Sequence, residues 1–216
     1  ALTSGGYREA VELSRTAQQI APRNGSVLIQ ATAQEGRAWA RLGDSREVRA
    51  SLAAVERMVE PLPRPERPEH HYVYDPQKAS VYVATTLAWL GDTAAEAAAR
   101  GILAVLQDHG ANPPRPRRVA LARLDLGKAL VNTGKHDEAA GSAMEAMRSG
   151  RLAPVDHPRV LEVVKAVADR GVPEARDLNG AYRELCAGAE PPALAVAFAG
   201  AWFNRRCLQL RNPGLG

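Results

Sequence analysis

Residues 126–146 read LGKALVNTGKHDEAAGSAMEA. This stretch predicts one helix, a tight turn and a second helix. Gly134 ends the first apolar run, and a glycine there can take the left-handed conformation that closes a helix. Asp137 stands where a carboxylate can cap or charge the start of the second helix. Gly127 has no Cβ and lets a neighbouring helix come close, while the small side chains of Ala139, Ala140, Ala143 and Ala146 permit tight contact along the second helix.

Working outward, the same unit recurs. SGGYREAVELSRTAQQIAP (4–22) supplies a turn and one following helix. EGRAWARLGDSREVRASLAAVERM (35–58) and SVYVATTLAWLGDTAAEAAARGILAVL (80–106) each supply a full helix–turn–helix, and HPRVLEVVKAVADRGVPEARDLNGAYREL (157–185) a weaker copy. The turn glycines are Gly5, Gly43, Gly91, Gly134 and Gly171, at spacings of 38, 48, 43 and 37 residues. Proline-rich connections, PLPRPERPEHHYVYDP (61–76) and NPPRPRR (112–118), account for the longer gaps, because proline interrupts the helical hydrogen-bond ladder. One such hairpin cannot bury both its apolar faces, whereas neighbouring copies cover them in a stack. Leu126-Gly127 with Ala139, and Gly36, Ala10, Ala17 and Pro22, resemble the tetratricopeptide pattern, although its aromatic positions are mostly Leu or Ala here. The resemblance implies an all-α, right-handed, tetratricopeptide-like superhelix of antiparallel helical hairpins. The expected organisation is a repeat domain over 1–190, whose first copy lacks its own first helix, and a C-terminal helix and tail over 191–216.

Composition agrees with helix over sheet: alanine is abundant and aromatic residues are only 5 % of 216 residues. The formal charge of +4 is mild and spread along the chain, a weak argument for nucleic-acid binding. Cys186 and Cys207 form no CxxC pair, and free thiols are the expectation. No stretch reaches the roughly 18 consecutive apolar residues of a membrane span, and the first residues carry no basic-then-apolar leader. A cytoplasmic protein is expected, with no membrane partner.

Counting back from each turn glycine gives candidate positions on the face of the first helices. Gln30, Arg37 and Arg41 fall there in one copy, Lys78, Thr85 and Trp89 in the next, then Lys128 and Asn132, then Lys165. Five cations around apolar neighbours suit a peptide with an acidic group or a free carboxylate. The stretch EHHYVYDP (69–76) brings His70 and His71 side by side with Tyr72 and Tyr74, but no third ligand adjoins them, so neither a metal nor a cofactor is expected. Tyr72 and Tyr74 are expected to pack down and anchor their loop. No GxSxG, HExxH, phosphate-loop or dinucleotide glycine pattern occurs, and no enzyme activity is expected. In 191–216, Phe198, Trp202 and Phe203 lie in a segment apolar on several sides, which is expected either to cap the array or to form a homodimer contact.

Two longer stretches carry a narrower resemblance. YDPQKASVYVATTLAWLGDTAAEAAAR (74–100) and RPRRVALARLDLGKALVNTGKHDEAAGSAMEAMRSGRLAPVDHPRVLEVVKAV (115–167), with ADRGVPEARDLNGAYREL (168–185), resemble the C-terminal sensor halves of actinobacterial helix-turn-helix transcriptional regulators. The resemblance implies a non-enzymatic sensor or interaction domain that binds a peptide, a small signal or a protein partner, and acts as a homodimer. A structural assembly domain without a small ligand is the alternative. No three-helix unit with a basic recognition helix reads within 1–216, so direct DNA binding by this chain is not expected.

Overall fold

The computed structural model describes residues 2–23, 25–63, 65, 74–108 and 115–188. The predicted interface residues Phe198, Trp202 and Phe203, the whole 191–216 segment, and His70, His71 and Tyr72 lie outside the described residues. Those described are all-helical: α1 (Tyr7–Ile20), α2 (Ser26–Leu42), α3 (Ser45–Val59), α4 (Pro76–Leu90), α5 (Ala95–Gln107), α6 (Pro116–Asn132), α7 (His136–Arg148), α8 (His157–Ala168) and α9 (Ala175–Ala187). No strand occurs among them.

The turns explain why the chain folds back where it does. Gly5, Gly43, Gly91, Gly134 and Gly171 all take positive φ, between 67° and 87°. At three of them the next residue donates its backbone N–H to the carbonyl five residues earlier. These bonds are Asp44 to Trp39 at 3.1 Å, Asp92 to Leu87 at 3.0 Å and Lys135 to Leu130 at 2.9 Å. They satisfy carbonyls that a helix end otherwise leaves without partners. The start of the next helix is then fixed by carboxylates. Asp44 Oδ1 accepts from the Glu47 N–H at 3.0 Å, and Asp92 Oδ1 from the Ala94 N–H at 2.9 Å. In the third hairpin Asp137 does not cap: Lys135 occupies the N-cap position, and Asp137 with Glu138 charges the first turn of α7 instead.

Each helix packs on its successor, and the first helices of the hairpins also pack on one another: α2 on α4, α4 on α6, and α6 on α8. The result is a helical, repeat-like stack. Its largest apolar cluster joins α4 to α9 through Leu106, Leu124, Leu130, Val160, Val164 and Leu178, each at most 2 % exposed. Burial of each such side chain stabilises by roughly 1.5–3 kcal/mol. Toward the N-terminus the core divides. Ile29, Ala33, Val55, Tyr74 and Ala79 form one cluster, and Ala10, Val11 and Ala38 another. Tyr74 thus packs down as expected, and burial pushes its hydroxyl above the usual tyrosine range.

Close approach uses glycine at one register, seven residues before the turn glycine. A Cβ on Gly127 would meet Val163 Cγ1 and the Ala139 carbonyl oxygen, each at 3.4 Å, at the edge of ordinary contact. The tighter site is Gly36, where a Cβ would lie 2.9 Å from the Ser51 Cβ. Between α1 and α2 a polar contact supplements the small core. Glu35 accepts from Arg15 Nε at 2.7 Å, from Gln18 Nε2 at 2.7 Å and from Trp39 Nε1 at 3.1 Å.

Candidate functional site

The shared face of α2, α4, α6 and α8 gathers the densest polar chemistry, and its centre is Trp89 on α4. The Arg41 guanidinium lies 4.0 Å from the Trp89 ring centroid, that of Arg37 4.5 Å and that of Arg159 5.7 Å. Arg37 also lies 5.3 Å from the ring of Tyr82. An indole face attracts cations through its quadrupole, by roughly 0.5–2 kcal/mol for each contact.

Carboxylates hold two of these cations. Arg41 grips Glu162 with two parallel hydrogen bonds, Nη1 to Oε2 at 2.8 Å and Nη2 to Oε1 at 2.7 Å. Arg159 donates to Asp125, which is 1 % exposed and also accepts from the Thr85 hydroxyl at 2.6 Å. Gln30 Nε2 donates to the Tyr82 hydroxyl at 2.8 Å, tying α2 to α4. Arg37 is the least compensated. Its Nη1 donates to Gln34 at 3.0 Å, but its buried Nε has no hydrogen-bond partner. Burial, then the nearby Arg159, push its guanidinium down to about 10. Three guanidiniums therefore face two carboxylates, and the cluster keeps one positive charge in excess.

The bond between Arg41 and Glu162 also constrains the shape of this face. Adjacent packed helices lie about 8–10 Å apart, so α2 and α8, three steps apart, would be separated by roughly 24–30 Å in a flat layer. An arginine and a glutamate cannot span that gap. The layer of first helices is therefore bent toward the Trp89 side.

Of the residues expected from sequence, Gln30, Arg37, Arg41, Thr85 and Trp89 join this cluster. Asn132 instead donates to the Ala88 carbonyl at 3.0 Å and helps dock α6 on α4. Lys78 sits at the start of α4 among Asp75, Arg115 and Arg118, and burial, then Arg118, push its amine below the usual lysine range. Lys128 is half-buried and Lys165 exposed, and neither makes a hydrogen bond or ion pair among the described residues. The expected set of five converging cations is thus brought together only as far as Arg37 and Arg41.

The residues that the sequence reading passed over are Tyr82, Asp125, Arg159 and Glu162. A signal existed for three of them. The ninth position before each turn glycine is Gln34, Tyr82, Asp125 and Glu162, a polar or amphipathic column among mostly small and apolar neighbours. Arg159 has no such periodic marker.

A second basic region lies at the start of α6. Arg115, Arg117 and Arg118, with Pro116, face Gly150–Ala153 across a cavity of about 450 Å3. Asp75 accepts from Arg115 and Arg118, each at 2.7 Å, and Asp156 accepts from Arg117 at 3.0 Å. Among the described residues no three His, Cys, Asp or Glu side chains converge as a metal site, and no helix is long and apolar enough to cross a membrane.

The fold and these sites define an all-helical, repeat-like protein. Compared with family models, with curated proteins and with solved structures, the chain matches none.

Proposed function

We propose that the chain is a tetratricopeptide-like interaction module, the sensor half of a transcriptional regulator, that takes an acidic peptide or carboxylate-bearing signal on the face of α2, α4, α6 and α8. The reading rests on the bidentate pair of Arg41 with Glu162 over Trp89. An internal carboxylate already occupies the position that a ligand's carboxylate would take, and Arg37 beside it keeps a buried Nε without an acceptor. A ligand carboxylate exchanging with Glu162 would keep the Arg41 fork satisfied, and a second oxygen could serve Arg37. Charge-assisted bidentate bonds of this kind are stronger than neutral ones and more selective in geometry. The in-register hairpins and the bent layer favour a stacked superhelix, the architecture that presents such a concave face. In this reading the module works as a homodimer, with the contact assigned by sequence to Phe198, Trp202 and Phe203.

The test is fluorescence anisotropy with a library of labelled acidic peptides, and a Gln-for-Glu, amidated library as control. Binding by the acidic library only, lost in Arg37→Glu/Arg41→Glu and tightened severalfold in Glu162→Gln, is the expected result. Equal binding by the charge-reversed double variant, with an unchanged helical circular-dichroism spectrum, would remove this face from the site.

A further inference from the structure

The arginine run that opens α6 does not take part in the cluster around Trp89, and the physical chemistry of its position asks for an anion. The positive end of a helix dipole lies at the N-terminus, where basic side chains are unfavourable. Yet α6 begins Arg115-Pro116-Arg117-Arg118, with no acidic residue in its first turn. Its first intrahelical hydrogen bond runs from the Val119 N–H to the Arg115 carbonyl at 3.1 Å. The backbone N–H groups of Arg117 and Arg118 thus precede the ladder and have no acceptor within it.

The side chains repeat the imbalance. Arg115 is 12 % exposed and gives Nη1 to Asp75, while its Nε and Nη2 are buried without a hydrogen-bond partner. Arg117 and Arg118 each reach one carboxylate, Asp156 and Asp75. Arg151, on the opposite wall, has no hydrogen bond or ion pair from its guanidinium among the described residues. Asp75 thus serves two arginines at once. With Lys78 close by, five cations share two carboxylates.

The walls are held in place. Asp156 accepts from the Ala153 N–H at 2.9 Å and from Arg117 at 3.0 Å, so one carboxylate fixes the α7–α8 connection against the start of α6. The volume of this open cleft, about 450 Å3, lies within the range of small-molecule sites and far exceeds what a bare oxyanion fills.

We propose that this cavity is a binding site for the phosphate group of a small phosphorylated molecule. A phosphate monoester offers three acceptor oxygens and close to two negative charges. It matches the exposed guanidiniums of Arg117 and Arg151 and the N–H groups at the start of α6 that have no acceptor among the described residues, with the uncompensated charge of Arg115 behind them. The rest of the ligand occupies the remaining volume beside Leu152. This site is separate from the face around Trp89, and either assignment can fail without the other.

Isothermal titration of the full chain with inorganic phosphate, adenosine 5′-monophosphate and adenosine tests it. Saturable binding of phosphate and of the monophosphate, tighter for the monophosphate, with none for adenosine, is expected. Arg117→Ala/Arg151→Ala changes two exposed side chains and should weaken both ligands at least tenfold with an unchanged circular-dichroism spectrum. Arg117→Lys/Arg151→Lys should stay within about threefold, and Arg37→Glu/Arg41→Glu should bind phosphate like the parent. Equal binding by the alanine double variant, or no binding by any phosphate, overturns the site. Tighter binding of a single-stranded oligonucleotide that displaces the monophosphate would overturn the small-molecule assignment in favour of a phosphodiester backbone.

Discussion

Two arginine-rich regions of this molecule differ in how their cations are satisfied. Around Trp89, Arg37, Arg41 and Arg159 share an indole face, and Asp125 and Glu162 take the strongest donors. At the start of α6, Arg115, Arg117 and Arg118 draw on two carboxylates among the described residues, Asp75 and Asp156, with Gln77 as a further acceptor for Arg118, and Arg151 draws on neither carboxylate. Both regions carry an excess of cations, but the first confines it to Arg37 beside the paired Arg41 and Arg159, whereas the second spreads unmet donors over Arg115 and Arg151. A count of basic residues ranks the two alike. What separates them is how an anion would enter: around Trp89 it must exchange with Glu162, whereas at the start of α6 it would meet donors that have no acceptor among the described residues.

The largest expected effect falls on the buried pair of the region around Trp89. Asp125 is buried and serves both Arg159 and Thr85. Asp125→Ala leaves a largely buried guanidinium without its counter-charge and should cost about 3–5 kcal/mol in a denaturant melt. Arg151→Ala, in the region at the start of α6, should change stability by less than about 0.5 kcal/mol. Equal losses for the two variants would show that the contrast in pairing has no energetic meaning.

The next effect is smaller. The Arg41 and Glu162 side chains are 15 % and 33 % exposed, so solvent screens the pair but does not dissolve it. Glu162→Gln should lower stability by about 1 kcal/mol, near the upper end for partly exposed pairs. The same variant should improve acidic-peptide binding, so stability and affinity move in opposite directions. A variant that loses both would make Glu162 a packing residue and nothing more.

The parts of this structure legible in sequence are those written as repeats. All five turn glycines adopt positive φ because the hairpin register depends on a backbone conformation that other residues resist. The helices follow from apolar periodicity between those turns. The site was legible only where it followed that register: Gln30, Arg37, Arg41, Thr85 and Trp89 were reachable by counting back from glycine. Which of the counted cations meet an aromatic ring depends on how the layer bends, and no local pattern encodes that. Lys78 shows the limit. It shares its register with Gln30, yet its environment is set by Asp75 and the arginines of α6, brought in by a proline-rich connection whose length breaks the repeat. The Arg115–Arg118 run was visible as sequence, but its unsatisfied donors emerge only when Asp75 and Asp156 turn out to be its carboxylates among the described residues.

Acid titration sharpens the comparison with the smallest effect. Glu35 lies in a third arginine contact, between α1 and α2. Burial raises its carboxyl, but hydrogen bonds from Gln18, Arg15 and Trp39 outweigh burial and hold it below the ordinary value of 4.5. Asp75, in the region at the start of α6, is likewise raised by burial, while Arg118, the Gln77 N–H and Arg115 bring it below 3.8. A carboxylate whose folded value is depressed contributes stability that is fully present above its unfolded value and is lost as pH falls through the folded one. Both contributions should therefore be intact near neutrality and fade below about pH 4.5 for Glu35 and about pH 3.8 for Asp75. Glu35→Gln should flatten the acid limb of a melting-temperature profile, because protonation then has one fewer depressed group to neutralise. Asp75→Asn should flatten it too, but with a second consequence that Glu35→Gln lacks. Removing the charge that Arg115 and Arg118 share deepens the cation excess, so inorganic phosphate should raise the melting temperature of Asp75→Asn by more than that of the parent. If phosphate stabilises both variants equally, the start of α6 holds no more uncompensated charge than the contact around Glu35.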